Sequence, residues 1–134
     1  LNLKKNKAKN AQKMYIIENI YYDYNKWDIL PAAAHVLDKV VEVMKSDPGI
    51  TIELDAFTDP RGTAEFNLDL SQKRADAAVD YMVSHGIDKS RVTGKGLGKT
   101  HPINNCGDPG VHCTEEEYAL NRRTEFKIID ELKK

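Results

Sequence analysis

The chain has 134 residues, enough for one hydrophobic core and an appendage. Its 20 Lys and Arg against 21 Asp and Glu give a formal net charge of -1, without the basic footprint that a nucleic-acid partner leaves. No apolar run approaches the roughly 20 residues that span a bilayer as a helix. There is no signal peptide and the first residue is Leu, so the expectation is a piece of a longer protein whose targeting information lies elsewhere.

Residues 1–14 read as a basic linker or tail, and residues 15–134 as the folded domain. The first segment carries Lys4, Lys5, Lys7, Lys9 and Lys13 without an acid, and little that is apolar. Met14 to Tyr24 is rich in Ile and Tyr and predicts a strand. Pro31 fits the first position of a helix. Behind it, Ala33, Val36, Leu37, Val40, Val41 and Met44 follow the spacing of one helical stripe. Asp47-Pro48-Gly49 ends that helix. Ile50, Ile52, Leu54 and Ala56 then alternate with Thr51, Glu53 and Asp55, the period of a strand with one buried face.

Thr58 to Asn67 reads as a loop with a short helical turn near its end. Ser71 is the expected N-cap of a second long helix, whose stripe is Ala75, Ala78, Val79, Met82 and Val83, with Gly86 just past its end. Arg91 to Lys95 predicts a short strand and Arg122 to Ile129 a final one. The order is β-α-β-α-β-β. Each helix has a single apolar stripe, so one sheet covered mainly on one face is the economical α+β packing.

The chemistry concentrates around the second strand's end. Asp59 and Arg74 sit on either side of a Gly-containing loop, where opposite charges can grip a zwitterion such as an amino acid with free amine and carboxylate. Asp59, ionised at neutral pH, would accept from the ammonium. Arg74 would donate two parallel bonds to the carboxylate, near the free N–H groups of a helix N-terminus if Ser71 is the cap. Cys106 and Cys113 flank a loop rich in turn residues, which could close as a disulfide and would point to an oxidising compartment. Such a bridge is expected to stiffen a surface excursion apart from the Asp59 and Arg74 site.

Thr58-Asp59, Gly62 and Asn67-Leu68-Asp69-Leu70-Ser71-Gln72-Lys73-Arg74-Ala75, followed by Gly96-Leu97-Gly98, Pro102 and Asn121-Arg122-Arg123, resemble the signature of the OmpA-like C-terminal domain. Tyr22-Asp23 and Pro31 fit the family's first strand and helix start, and the resemblance covers roughly residues 15–129. It implies a two-layer sandwich with a mixed four-stranded sheet in the order 1-4-2-3 and the helices on one face. It also implies noncovalent binding of cell-wall peptidoglycan through the diamino acid of the stem peptide, often diaminopimelate. Asp59 and Arg74 would be the principal contacts. Thr58, Asn67, Leu70, Tyr22, Asp23 and Arg122 border the same pocket in this reading, although Asn67, Leu70 and Arg122 also have plain structural explanations. The chain departs from the pattern at Phe57, where many relatives carry His, at Lys99, where an acid is common, and in a longer Cys106–Cys113 segment. The implied setting is a periplasmic domain of an outer-membrane or envelope-anchored protein, with a membrane-anchored domain upstream, no cofactor and no nucleic acid.

The competing reading is a cell-wall or metal-dependent hydrolase using His101, Cys106, His112 and Cys113. Their spacings match no common zinc pattern, and no nucleophile elbow or metalloprotease motif is present. A noncatalytic binding module is the better account.

Overall fold

In the computed structural model, the backbone is described for residues 3–7 and 13–130 and the side chains for residues 17–129. Strands β1 (Leu3–Lys7) and β2 (Lys13–Ile17) pair antiparallel as a separate two-stranded sheet. The first segment is therefore not a structureless tail where its backbone is described. Residues 14–17, Met-Tyr-Ile-Ile, are β-forming and offer the lysine-rich stretch a partner. The rest of the expected tail and the side chains of its lysines lie outside the described residues. The domain's own first strand, β3 (Ile20–Tyr21), is correspondingly shorter than expected.

Helix α1 (Pro31–Ser46) starts at its proline, behind Leu30 in extended conformation. Every residue of its predicted stripe is buried. Strand β4 (Ile50–Ala56) follows the Asp-Pro-Gly turn. Helix α2 (Ala64–Ser84), strand β5 (Val92–Gly96), the short helix α3 (Glu115–Ala119) and strand β6 (Arg123–Asp130) complete the domain.

The sheet order is β3-β6-β4-β5, which is first-fourth-second-third among its own strands. β6 runs antiparallel to β3 and β4, and β5 parallel to β4. The architecture is the expected α+β sandwich. Both helical stripes share one cluster with Ile50, Ile52, Leu54 and Val92. Each fully buried aliphatic side chain of this size contributes roughly 1.5–3 kcal/mol relative to exposure. On the opposite face the simple alternation fails at Asp55, which is also buried, with its carboxylate 3.0 Å from Lys127 Nζ on β6.

Two helical features differ from expectation. Ser71 is not an N-cap. α2 begins at Ala64, capped by Thr63, whose side chain accepts from Phe66 N–H at 3.1 Å. Its first turns are hard to read from sequence because Phe66 and Leu68 are exposed and break the stripe. α3 carries no apolar stripe at all. It is set by a capping box in which Thr114 and Glu117 satisfy each other's backbone N–H groups.

Ser71 instead fastens the interior of α2 to the segment after β5. Its Oγ donates to Leu68 O at 2.9 Å and accepts from Gly98 N–H at 2.8 Å. Close approach here requires glycine, since a Cβ at Gly96 would lie 2.4 Å from Gln72 N and 2.7 Å from Gln72 Cα. This contact fixes α2, and Arg74 on it, against the C-terminal end of the parallel strand pair.

Candidate functional site

The segment after β4 is held from both sides. Phe57 N–H bonds to Arg123 O at 2.8 Å, and Thr58 N–H to Gly98 O at 2.9 Å. Gly62 turns the chain with φ 95°, in the left-handed region that favours glycine. Asn67, in the first turn of α2, donates from Nδ2 to Arg61 O at 2.8 Å and Thr63 O at 3.0 Å. Its observed role is to hold the loop's shape.

Of the sequence-selected residues, Thr58, Asp59, Asn67, Leu70, Arg74 and Arg122 line one small cavity, completed by Tyr24, Asn25 and Arg61. Its free volume is about 10 Å³, close to that of one water. A larger hollow of about 330 Å³ lies between β3 and α1, lined chiefly by Ile20, Leu30, Ala32, Ala33 and Val36. It has no comparable convergence of charges, so size is not what marks the site.

Arg74 is fully buried in the interior of α2. The helix-terminus argument for its ligand therefore does not hold. Its guanidinium donates to three backbone carbonyls: Lys26 O at 2.8 Å, Asp23 O at 3.0 Å and Phe57 O at 3.3 Å. It thus organises the loop before α1 as well as facing the cavity. Burial pushes its pKa down to about 10, against the favourable influence of Tyr22 and Asp59.

Tyr22 lies under this guanidinium, its ring 5.0 Å from Arg74 Cζ. Its hydroxyl donates to Arg74 O at 3.2 Å and is 2.8 Å from Thr124 Oγ1. Burial raises the phenol to about 12. Asp23 contributes its carbonyl to Arg74, but the residue is exposed and does not line the cavity. Tyr22 and Asp23 therefore support the site from behind.

Asp59 is buried, and both carboxylate oxygens are engaged. Oδ1 accepts from Arg61 N–H and Arg61 Nε, both at 3.1 Å. Oδ2 accepts from Arg61 Nη2 at 2.9 Å and Arg122 Nη1 at 3.4 Å. Burial acts to raise the carboxyl, but the hydrogen bonds and charge of Arg61, with help from Arg122, outweigh it and hold the pKa below the ordinary value. Arg122 also donates from Nε to Tyr22 O at 2.9 Å, so it belongs to the site rather than to an open strand surface. Thr58 Oγ1 is buried without a hydrogen-bond partner.

Sequence reasoning missed Arg61 and its surroundings. Arg61 Cζ rests 4.3 Å from the Tyr24 ring centroid and 4.1 Å from that of Tyr118, and Nη1 donates to Glu115 Oε2 at 2.7 Å. A basic residue two positions after the site acid was the available signal. Nothing local pointed to Glu115 and Tyr118, which arrive on α3.

Cys106 and Cys113 form a disulfide. The thiolate pair that the zinc reading needs is therefore absent. The bridged segment is not apart from the site: a Cβ at Gly107 would lie 3.2 Å from Pro60 Cβ, and Cys113 directly precedes the cap of α3.

The mixed sheet with helices on one face agrees with the comparisons to known proteins. The OmpA family model matches residues 21–113, and the chain belongs to that family. It is 33% identical over 110 residues to the probable lipoprotein YiaD of Escherichia coli K12, covering 82% of this chain and 48% of that protein. It is 32% identical over 111 residues to the peptidoglycan-associated lipoprotein of Pseudomonas aeruginosa, covering 83% and 62%. The chain thus spans about half to three-fifths of these relatives' length. Among solved structures, the peptidoglycan-associated lipoprotein of Burkholderia pseudomallei is similar with a TM-score of 0.74 at 28% identity, covering 83% of this chain and 89% of that one. The C-terminal domain of Helicobacter pylori MotB has a TM-score of 0.72 at 17% identity, covering 84% of each, a likeness of fold alone.

Proposed function

We propose that this domain is a noncatalytic module that binds peptidoglycan through the diamino acid of the stem peptide. It would anchor an outer-membrane or envelope protein, with a membrane-anchored domain upstream, to the wall from the periplasm. The observation that carries this reading is a buried anion, Asp59, and a buried cation, Arg74, lining one cavity. Two charges are costly to bury without a purpose for their fields. Relatives named for peptidoglycan association or peptidoglycan binding support the assignment of the ligand.

Asp59 accepts from the ligand ammonium, and the N–H groups of Arg74 not bound to carbonyls, with Arg122 beside them, face the carboxylate. Thr58 Oγ1 supplies a polar group that ligand binding would satisfy. The purified domain should sediment with insoluble peptidoglycan, and Asp59→Ala should weaken that binding by about 2–5 kcal/mol as one partner of a desolvated ionic contact is lost. Arg74→Ala is the poorer test, because three carbonyls lose their donor and stability falls with binding. Arg74→Lys keeps the charge but loses the planar fork, and is expected to bind weakly. Full binding by a folded Asp59→Ala variant would sink the assignment. Release of soluble muropeptides would overturn the noncatalytic reading in favour of a hydrolase.

A further inference from the structure

Asp59 is not open to a ligand as it stands. Arg61 meets it through three hydrogen bonds, and the cavity beside it has room for about one water. An ammonium can reach the carboxylate only if the Arg61 side chain moves. Arg61 is also the site arginine most able to do so: its side chain is 30% exposed against 11% for Arg122, and Arg74 is fully buried.

We propose that Arg61 is an internal stand-in for the ligand's ammonium. By exchanging Asp59 for the ligand's carboxylate, it makes the site selective for a carbon bearing both amine and carboxylate over an amine alone. This rests on the reading of Asp59 as the ammonium acceptor. The remaining contacts of the Arg61 side chain, with the Tyr24 and Tyr118 rings and Glu115, do not depend on Asp59. They keep the guanidinium at the cavity mouth after it lets go, because attraction to a ring face tolerates in-plane movement.

Charge balance supplies the selectivity. Three guanidinium groups, Arg61, Arg74 and Arg122, already face two carboxylates, Asp59 and Glu115. A simple amine that displaces Arg61 adds a further cation and leaves that guanidinium with only an exposed partner. A zwitterion adds no net charge and offers Arg61 a carboxylate in place of the one it gives up. Both charge-assisted pairs are then restored, which favours the zwitterion by about tenfold or more.

The test uses two synthetic stem peptides that differ only in the diamino acid, diaminopimelate or lysine, titrated calorimetrically into the domain and its Arg61→Ala, Arg61→Gln and Asp59→Asn variants. The wild-type domain is expected to prefer the diaminopimelate peptide. Arg61→Ala and Arg61→Gln are expected to bind the lysine peptide more tightly than wild type does, so that the preference falls about tenfold. A gain in affinity cannot arise from structural damage. An unchanged ratio in both variants, or an equal loss for both peptides, overturns the exchange while leaving the Asp59 reading in place. Binding of neither peptide by wild type, or full binding by Asp59→Asn, overturns the parent reading and the exchange with it.

Discussion

Asp59 keeps its charge against the direction in which burial pushes it, because Arg61 and Arg122 surround it. Its folded pKa therefore lies below the ordinary value of 3.8. A depressed carboxyl stabilises the fold fully above its unfolded pKa, and that contribution is lost as pH falls through the folded value. The melting temperatures of wild type and Asp59→Asn are expected to differ by a constant amount between about pH 5 and 7, and to converge below about pH 4. A gap that persists unchanged into strong acid would mean that the Asp59 charge does not stabilise the folded state. The two arginines nearest the cavity on the loop and on α2 differ in the same terms. Arg74 is a buried organiser of backbone carbonyls with part of its fork facing the cavity, whereas Arg61 is partly exposed and spends its side chain on Asp59 and Glu115.

At the scale of elements, α3 links the disulfide to the site. The helix is five residues long and buries no apolar stripe, so its position depends on its cap and its flanks. The flank is Cys113, bonded to Cys106 across a sequence separation of 7. Closing so short a loop stabilises the fold by about 2–3 kcal/mol in the chain-entropy account. Reduction, or the Cys106→Ser, Cys113→Ser variant, is expected to lower the melting temperature by about 10 °C. It should also loosen Glu115 and Tyr118 around Arg61. Binding of the stem peptide should change several-fold while the far-ultraviolet spectrum stays close to that of wild type. Identical affinity and identical hydrogen exchange at residues 114–119 would show that α3 is held by its cap alone.

At the scale of the molecule, the last strand is the middle of the sheet. β6 pairs with β3 on one side and along the whole of β4 on the other, so the first and second strands of the sheet meet only through it. It also carries Thr124 to Tyr22, while Arg122, just before it, meets Asp59. A chain ending at residue 121 leaves β4 with an open ladder and a core exposed along that edge. Such a truncation is expected to lose cooperative thermal unfolding altogether, measured by circular dichroism, whereas the intact chain should melt in one transition. A truncated chain that melts cooperatively would show that α1, α2, β4 and β5 form a core without β6.

The helical stripe of α1, the alternation of β4 and the glycines after β5 were legible in the sequence, because each records a local period or a backbone demand that neighbours along the chain must satisfy. Asp59, Arg74 and the OmpA-like spacing around them were legible for the same reason: loop, helix and acid lie within one short segment. The start of α2 was obscured by Phe66 and Leu68, whose exposure the helical period does not announce. The burial of Arg74, the occupation of Asp59 by Arg61 and the arrival of Tyr118 and Glu115 were decided by tertiary structure alone. These contacts join residues up to 57 positions apart, as with Arg61 and Tyr118. Only the packing of α2 on β5, the central place of β6 and the Cys106–Cys113 bridge bring such residues within reach of one another, and no local pattern encodes which of two nearby arginines will be fully buried and which will sit partly exposed at the cavity mouth.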